Sequence, residues 1–222
     1  MKHIRSLTEI VPEKPNGKTV VYMHGYGGYT WQAARQLKVL KNAGYHVYAL
    51  DFKKILNLHD PQALLELMDE VDAFLREKNL IHKDLLLVGI SIGGLAGYNM
   101  IRRHKELNKL LAITGGNVAL LPTTKSLKRD WKMTREQIAQ AWQAVNMYTP
   151  FGELKDKNVI MMLPLRDKII NPQEVMDEVK LQQQLNNVWL VRTKGGHYRT
   201  IITETIIKPR SILKYLKELE KF

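Results

Sequence analysis

The sequence has no cysteine among its 222 residues. That absence excludes disulfides, thiolate metal sites and a cysteine nucleophile together, while leaving the redox compartment open. Long apolar runs are missing as well. Nothing approaches about 18 consecutive apolar residues, so no segment is expected to span a membrane. The opening stretch, MKHIRSLTEIVPEKP, starts basic but has no apolar run behind it. It does not read as a secretory signal, and the expected location is cytoplasmic. The histidines (His3, His24, His46, His59, His82, His104 and His197) are scattered, without HExxH or other close ligand spacing. No metal and no cofactor are therefore expected. Repeats, low-complexity tracts and dividing linkers are also lacking, so residues 1–222 read as one domain.

What is present is the composition of a soluble globular chain. It is 45% hydrophobic and 25% charged, in a length sufficient to bury a sizeable core. Charge is the one unusual bulk property: 34 Lys and Arg against 22 Asp and Glu, a formal +12. Such a surplus attracts nucleic acid, anionic lipid or acidic substrates. No nucleic-acid motif accompanies it. It reads as a lysine-rich solvated surface, and no nucleic-acid partner is expected.

Apolar runs of strand length alternate with amphipathic stretches, the pattern of parallel βα units. Residues 19–23 form a first run that stops at the glycine-rich turn 24–28. Thr30 then caps a helix carrying Trp31, Ala34, Leu37 and Leu40, ended by Gly44. A strand over 45–50 ends at Asp51, and Asp60-Pro61 opens a helix with Leu64, Leu67, Val71 and Phe74 on one face. Residues 85–88 are apolar throughout, as in a central strand buried on both faces. A helix from about Ile92 and a strand over 110–114 follow. The alternation breaks between Asn117 and Asn158, where Thr134 and Gln137 form a capping box. Strands resume at 159–163 and 188–191, with a helix opened by Asn171-Pro172 between them and a last helix capped by Ser211.

The chemistry concentrates at Gly89-Ile90-Ser91-Ile92-Gly93, a G-x-S-x-G set where an apolar strand turns into a helix. Such a turn strains the serine backbone, and the flanking glycines remove side chains that would collide. The hydroxyl is then exposed at a helix N-terminus, which favours developing negative charge. A serine hydroxyl needs a base, itself oriented by an acid. In an open parallel sheet all three come from loops at the carboxyl ends of strands. Asp167 follows the strand at 159–163, and His197 follows the last strand in Gly195-Gly196-His197. The order Ser91, Asp167, His197 is that expected of such a triad. Asp51 is a rival acid but comes too early, and it reads as a structural turn residue. His24, a rival base, belongs to the turn Met23-His24-Gly25-Tyr26-Gly27-Gly28. That turn is positioned to donate to an oxyanion through the N–H of Tyr26, with Gly27 as the alternative, alongside the N–H of Ile92.

HGYGG after an early strand, GISIGG at the turn, RDKIINP around Asp167 and GGH at His197 together resemble the α/β-hydrolase superfamily. The chain is similar to its small carboxylesterases and its lipase-like or thioesterase-like members, from about Lys18 to the last helix. The resemblance implies an α/β fold: an eight-stranded, mostly parallel twisted sheet with helices on both faces. Two departures stand out. Only about eighteen residues precede the first parallel strand, so the usual N-terminal antiparallel hairpin is expected to be shortened or partly missing. The cap is reduced to a short helical lid insertion at about 117–157.

The insertion is apolar enough, through Trp131, Trp142 and Tyr148, to cover an acyl pocket. Its Lys125, Lys128, Arg129, Lys132 and Arg135 read as a solvated face. The expected activity is hydrolysis of a small-molecule carboxylic ester through an acyl-enzyme. Thioester hydrolysis is the alternative the basic lid suits. A silent binding protein on the same fold is the alternative from another class, and a basic binder of nucleic acid or anionic membrane is the weakest.

Overall fold

The apolar runs of the sequence become strands covered on both sides. The computed structural model describes residues 1–25, 30–53, 61–114, 154–181 and 188–222, together with Thr134, Glu136, Gln137 and Gln140. The strands are β1 (Ile4–Ile10), β2 (Thr19–Met23), β3 (His46–Phe52), β4 (Leu86–Ile90), β5 (Lys109–Ile113), β6 (Asn158–Pro164) and β7 (Val188–Thr193). They form one sheet in the order β1-β3-β2-β4-β5-β6-β7. All neighbours run parallel except β1, which lies antiparallel to β3.

Alternation along each strand divides the core. Val21, Met23 and Leu87 point to one face, under α2 (Pro61–Glu77), α3 (Ile92–Arg103) and α4 (Pro172–Leu181). Val20, Tyr22, Leu86 and Val88 point to the other, under α1 (Ala34–Asn42) and α6 (Ser211–Leu219). Both faces are dry, which is why the central strands carry no polar alternation. Between β7 and α6 lie a short helix, α5 (His197–Ile202), and a π-turn, Thr203–Ile207.

Among the described residues the sheet has seven strands, where the resemblance implied eight. Residues 11–18 cross the end of β3 to join β1 to β2. β1 is anchored by Glu70 of α2. Its carboxylate accepts the backbone N–H groups of Lys2 at 2.6 Å, His3 at 2.8 Å and Ile4 at 2.9 Å.

Three local expectations are corrected. Residues Thr30–Ala33 form a 3₁₀ turn ahead of α1. Its three-residue period takes Trp31 off the buried face of Leu37 and Leu40 and leaves it 70% exposed. Ser211 is the first residue of α6 and not its cap, which is Arg210. The Ser211 hydroxyl is instead committed to the Glu204 carboxylate at 2.6 Å and the Lys208 carbonyl at 2.7 Å. Asp51 lies inside β3, not in a turn, and accepts the hydroxyl of Ser6 at 3.0 Å. The Thr134–Gln137 capping box does form, with reciprocal bonds of 2.8 and 3.2 Å. Among the described residues no helix is long and apolar enough to cross a membrane.

Candidate active site

β4 runs directly into Ser91, whose backbone turns to φ 52°, ψ −113° before α3 begins at Ile92. A side-chain-bearing residue rarely adopts that conformation, and the packing around it explains why it persists. A Cβ at Gly89 would stand 2.2 Å from the Gly93 carbonyl oxygen. One at Gly93 would stand 2.1 Å from the carbonyl oxygen of Met23, at the end of β2. No real contact is that short, so the sharp turn requires glycine at both places. The ladder continues through the turn, with the Ser91 N–H donating to Ile113 O at 3.0 Å.

The order β3-β2-β4 makes the gap between β2 and β4 the point where chain direction across the sheet reverses, and such a crevice is where α/β sheets bind ligands. The turn after β2 opens there. A Cβ built on Gly25 would stand 3.4 Å from the Ser91 Cβ, so this turn starts beside the hydroxyl. Tyr26, named above as an N–H donor, lies outside the described residues, as do Gly27, Trp131, Trp142 and Tyr148. Ile92, the other named donor, is the first residue of α3, a position whose N–H has no partner within its own helix.

Asp167 and His197 reach Ser91 from the far strands. His197 Nε2 stands 3.1 Å from Ser91 Oγ, and Nδ1 stands 2.8 Å from Asp167 Oδ2. The other carboxylate oxygen, Oδ1, accepts the backbone N–H groups of Ile169 at 2.7 Å and Ile170 at 3.1 Å. Imidazole and carboxylate are both buried, whereas Ser91 is half-buried. With the Nδ1 proton held by Asp167, Nε2 is the acceptor for the serine hydroxyl. An alcohol so placed can lose its proton as it attacks an acyl carbon, which is the chemistry of covalent acyl transfer.

The loops that carry acid and base are tied to each other. Leu165 N–H donates to Thr193 O at 2.9 Å, and Arg166 N–H to Gly195 O at 3.1 Å. Thr193 and Thr200 join their hydroxyls at 2.7 Å across the turn that presents His197. The sequence reading missed this pair, and nothing in a spacing of seven residues could have signalled it.

His24 closes the site from below. It is 4% exposed, its Nε2 finds no hydrogen-bond partner among the described residues, and its ring meets Tyr22 edge-on at 5.5 Å. Burial pushes its pKa down to about 4, against a smaller upward pull from Asp51. A neutral ring is what that pocket tolerates. The other histidines with resolved partners lie outside the site: His3 bonds Glu66 at 2.8 Å, His46 bonds Glu9 at 2.8 Å, and His104 bonds Asp72. Among the described residues no group of three or more His, Asp and Glu stands ready for a metal.

Comparison with known proteins agrees on the fold. No curated protein sequence matches the chain. Solved structures do. The monoacylglycerol lipase of Paleococcus ferrophilus is 16% identical, with a TM-score of 0.66 over 97% of this chain and 98% of that one. An esterase of Pyrococcus furiosus is 20% identical, with a TM-score of 0.65 over 97% and 92%. A carboxylesterase of Bacillus subtilis is 13% identical, with a TM-score of 0.64 over 95% and 86%. The family model described as serine aminopeptidase, S33, matches residues 14–195. From the turn that follows β1 to the glycines before His197, the chain belongs to the serine aminopeptidase S33 family, within the α/β-hydrolase superfamily.

Proposed function

We propose that the protein hydrolyses carboxylic esters through an acyl-enzyme formed on Ser91. The observation that carries this reading is the unbroken hydrogen-bond relay from Ser91 Oγ through both nitrogens of His197 to Asp167. As Oγ attacks the ester carbonyl, its proton passes to His197 Nε2, and Asp167 stabilises the imidazolium. The tetrahedral oxyanion is held by the N–H groups of Ile92 and Tyr26, a single such donor being worth about 3–4 kcal/mol. His197 returns the proton to the departing alcohol. Water then attacks the acyl group, again losing a proton to His197, which passes it to the departing Ser91 Oγ as the acid is freed. The expected substrates are small-molecule esters, with Trp131, Trp142 and Tyr148 of the insertion lining the acyl side.

Lipase and esterase structures among the similar folds support the choice of ester over peptide, although the family takes its description from an aminopeptidase. The test is turnover of p-nitrophenyl butyrate beside butyryl-CoA and an aminoacyl p-nitroanilide. The ester is expected to be hydrolysed with the highest kcat/KM. Ser91→Ala is expected to lower kcat by about 10⁴–10⁶ without moving the melting temperature. Wild-type turnover by that variant would remove Ser91 from the reaction. Faster cleavage of the thioester or the anilide would reassign the substrate class.

A further inference from the structure

The surplus of positive charge is not spread evenly, and its densest side coincides with exposed apolar side chains. α2 carries Glu66, Asp69, Glu70, Asp72 and Glu77 against the single Arg76. On the opposite side of the sheet, residues 30–50 contain Arg35, Lys38 and Lys41 and no acidic residue. Residues 188–217 add Arg192, Lys194, Arg199, Lys208, Arg210, Lys214 and Lys217 against one acid, Glu204. That glutamate is buried and accepts the Ser211 hydroxyl.

Within this basic side, α5 and the π-turn turn an apolar stripe outward. Tyr198 is 67% exposed, Ile202 47%, Ile206 37% and Ile207 65%. The spacing of Tyr198, Ile202 and Ile206 keeps them on one face, while Ile201 packs inward against the core. The stripe is held rigidly. Gln36 of α1 donates to Glu204 O at 3.2 Å, Arg35 to Ile206 O at 3.3 Å, and the Thr30–Ala33 turn bearing exposed Trp31 packs against the π-turn. Beside it, a groove of ≈ 440 Å³ is lined by Val39, Ile207, Lys208 and Arg210. The stripe begins one residue after His197, whose ring meets that of Tyr198 at 5.5 Å.

We infer that this face docks on an anionic phospholipid bilayer, with Trp31, Tyr198 and Ile202 entering the interface and Arg199, Lys208 and Arg210 engaging the headgroups. Tryptophan and tyrosine favour that depth, where one end of the ring is apolar and the other wet. A patch of exposed apolar side chains ringed by cations has the chemistry of a peripheral membrane contact. Nucleic acid shares the charge complementarity and its bases stack on aromatic rings, but it leaves the exposed aliphatic Ile202, Ile206 and Ile207 unmatched. The docking itself does not rest on the reaction at Ser91.

The test is co-sedimentation of the full chain with vesicles of phosphatidylcholine alone and of phosphatidylcholine containing a third phosphatidylglycerol. The wild type is expected to partition at least about tenfold more strongly onto the anionic vesicles, and less as salt rises. Ile202→Asp and Trp31→Asp are each expected to weaken partitioning by about tenfold or more. Arg199→Gln with Lys208→Gln is expected to weaken it by roughly 25-fold, about fivefold per cation. Ser91→Ala is expected to partition as the wild type does, which separates this inference from the proposed chemistry. The inference is overturned if the wild type ignores both vesicles, or if the apolar variants bind as well as the wild type. It is also overturned if Ile202→Asp dissolves a dimer seen by sedimentation equilibrium, which would make the face a contact between copies. A melting temperature lowered by Ile202→Asp with vesicle binding unchanged would make the face a packing surface within the chain, and would overturn it likewise.

Discussion

Acidification from about pH 8 to about pH 5 is expected to weaken the fold in a way that His24 controls. In the unfolded chain this histidine titrates near 6.5, whereas burial in the folded state lowers its pKa to about 4. Between those values the unfolded state binds a proton that the folded state refuses, so stability falls as the pH falls through that window. Each unit of difference corresponds to 1.36 kcal/mol. The loss is about 2 kcal/mol at about pH 5 and approaches about 3 kcal/mol below about pH 4. Glu66, Glu70 and Asp72 also weaken the fold in acid, because partners in the folded state hold their carboxyls below the usual range. Their stabilisation is present above that range and is lost as the pH drops through it. They act alike in wild type and variant, so a difference measurement removes them. His24→Phe preserves an edge-on ring for Tyr22, removes the titrating group and removes a buried Nε2 that lacks a partner among the described residues. Urea unfolding followed by circular dichroism is the assay. The wild type is expected to lose about 2 kcal/mol more than His24→Phe between the two pH values. Parallel pH profiles for the two proteins would refute the claim that this histidine is kept neutral by burial.

Three further outcomes follow from the geometry. Asp167→Asn is expected to lower kcat by about 10⁴, because the amide no longer fixes the Nδ1 proton; KM for p-nitrophenyl butyrate is the control and is expected to move little. Gly93→Ala drives a Cβ to within 2.1 Å of the Met23 carbonyl, so it is expected to abolish turnover and lower the melting temperature, both read on one preparation. Lys157 is buried and donates to the carbonyls of His104, Lys105 and Leu107 at 3.0, 3.1 and 2.8 Å, just beyond the end of α3. Lys157→Met is expected to cost roughly 2–4 kcal/mol in denaturant unfolding with kcat unchanged.

What could be read from the chain divides along physical lines. β2 to β6 are legible because burial on both faces demands unbroken apolar runs, and the run into Ser91 is the clearest of them; β7, a half-buried edge strand, still shows the apolar run 188–191. β1 is not legible. It is an edge strand paired only with β3, and a register shift between Ile4 and Ser6 breaks its alternation. Ile4 and Leu7 pack on one face of the sheet and Ile10 on the other, a spacing of three that signals neither helix nor strand. Trp31 was misassigned because a 3₁₀ turn and the first turn of an α-helix look alike in sequence. Ser211 was misassigned because its competing partner, Glu204, belongs to a π-turn, and π geometry leaves no compositional mark. Ser91, Asp167 and His197 each follow a strand, and topology alone gathers strand ends along one edge. The Thr193–Thr200 pair escaped because it depends on how the chain folds back after β7.

The bonds joining the loops after β6 and β7 make Asp167 and His197 halves of one mechanical unit, while Ser91 is mounted two strands away from β6 on β4. Any breathing of the sheet across β5 therefore opens the distance between imidazole and hydroxyl first and leaves the imidazole correctly aimed by its carboxylate. On warming, the contact between Ser91 and His197 would therefore part before the one between His197 and Asp167.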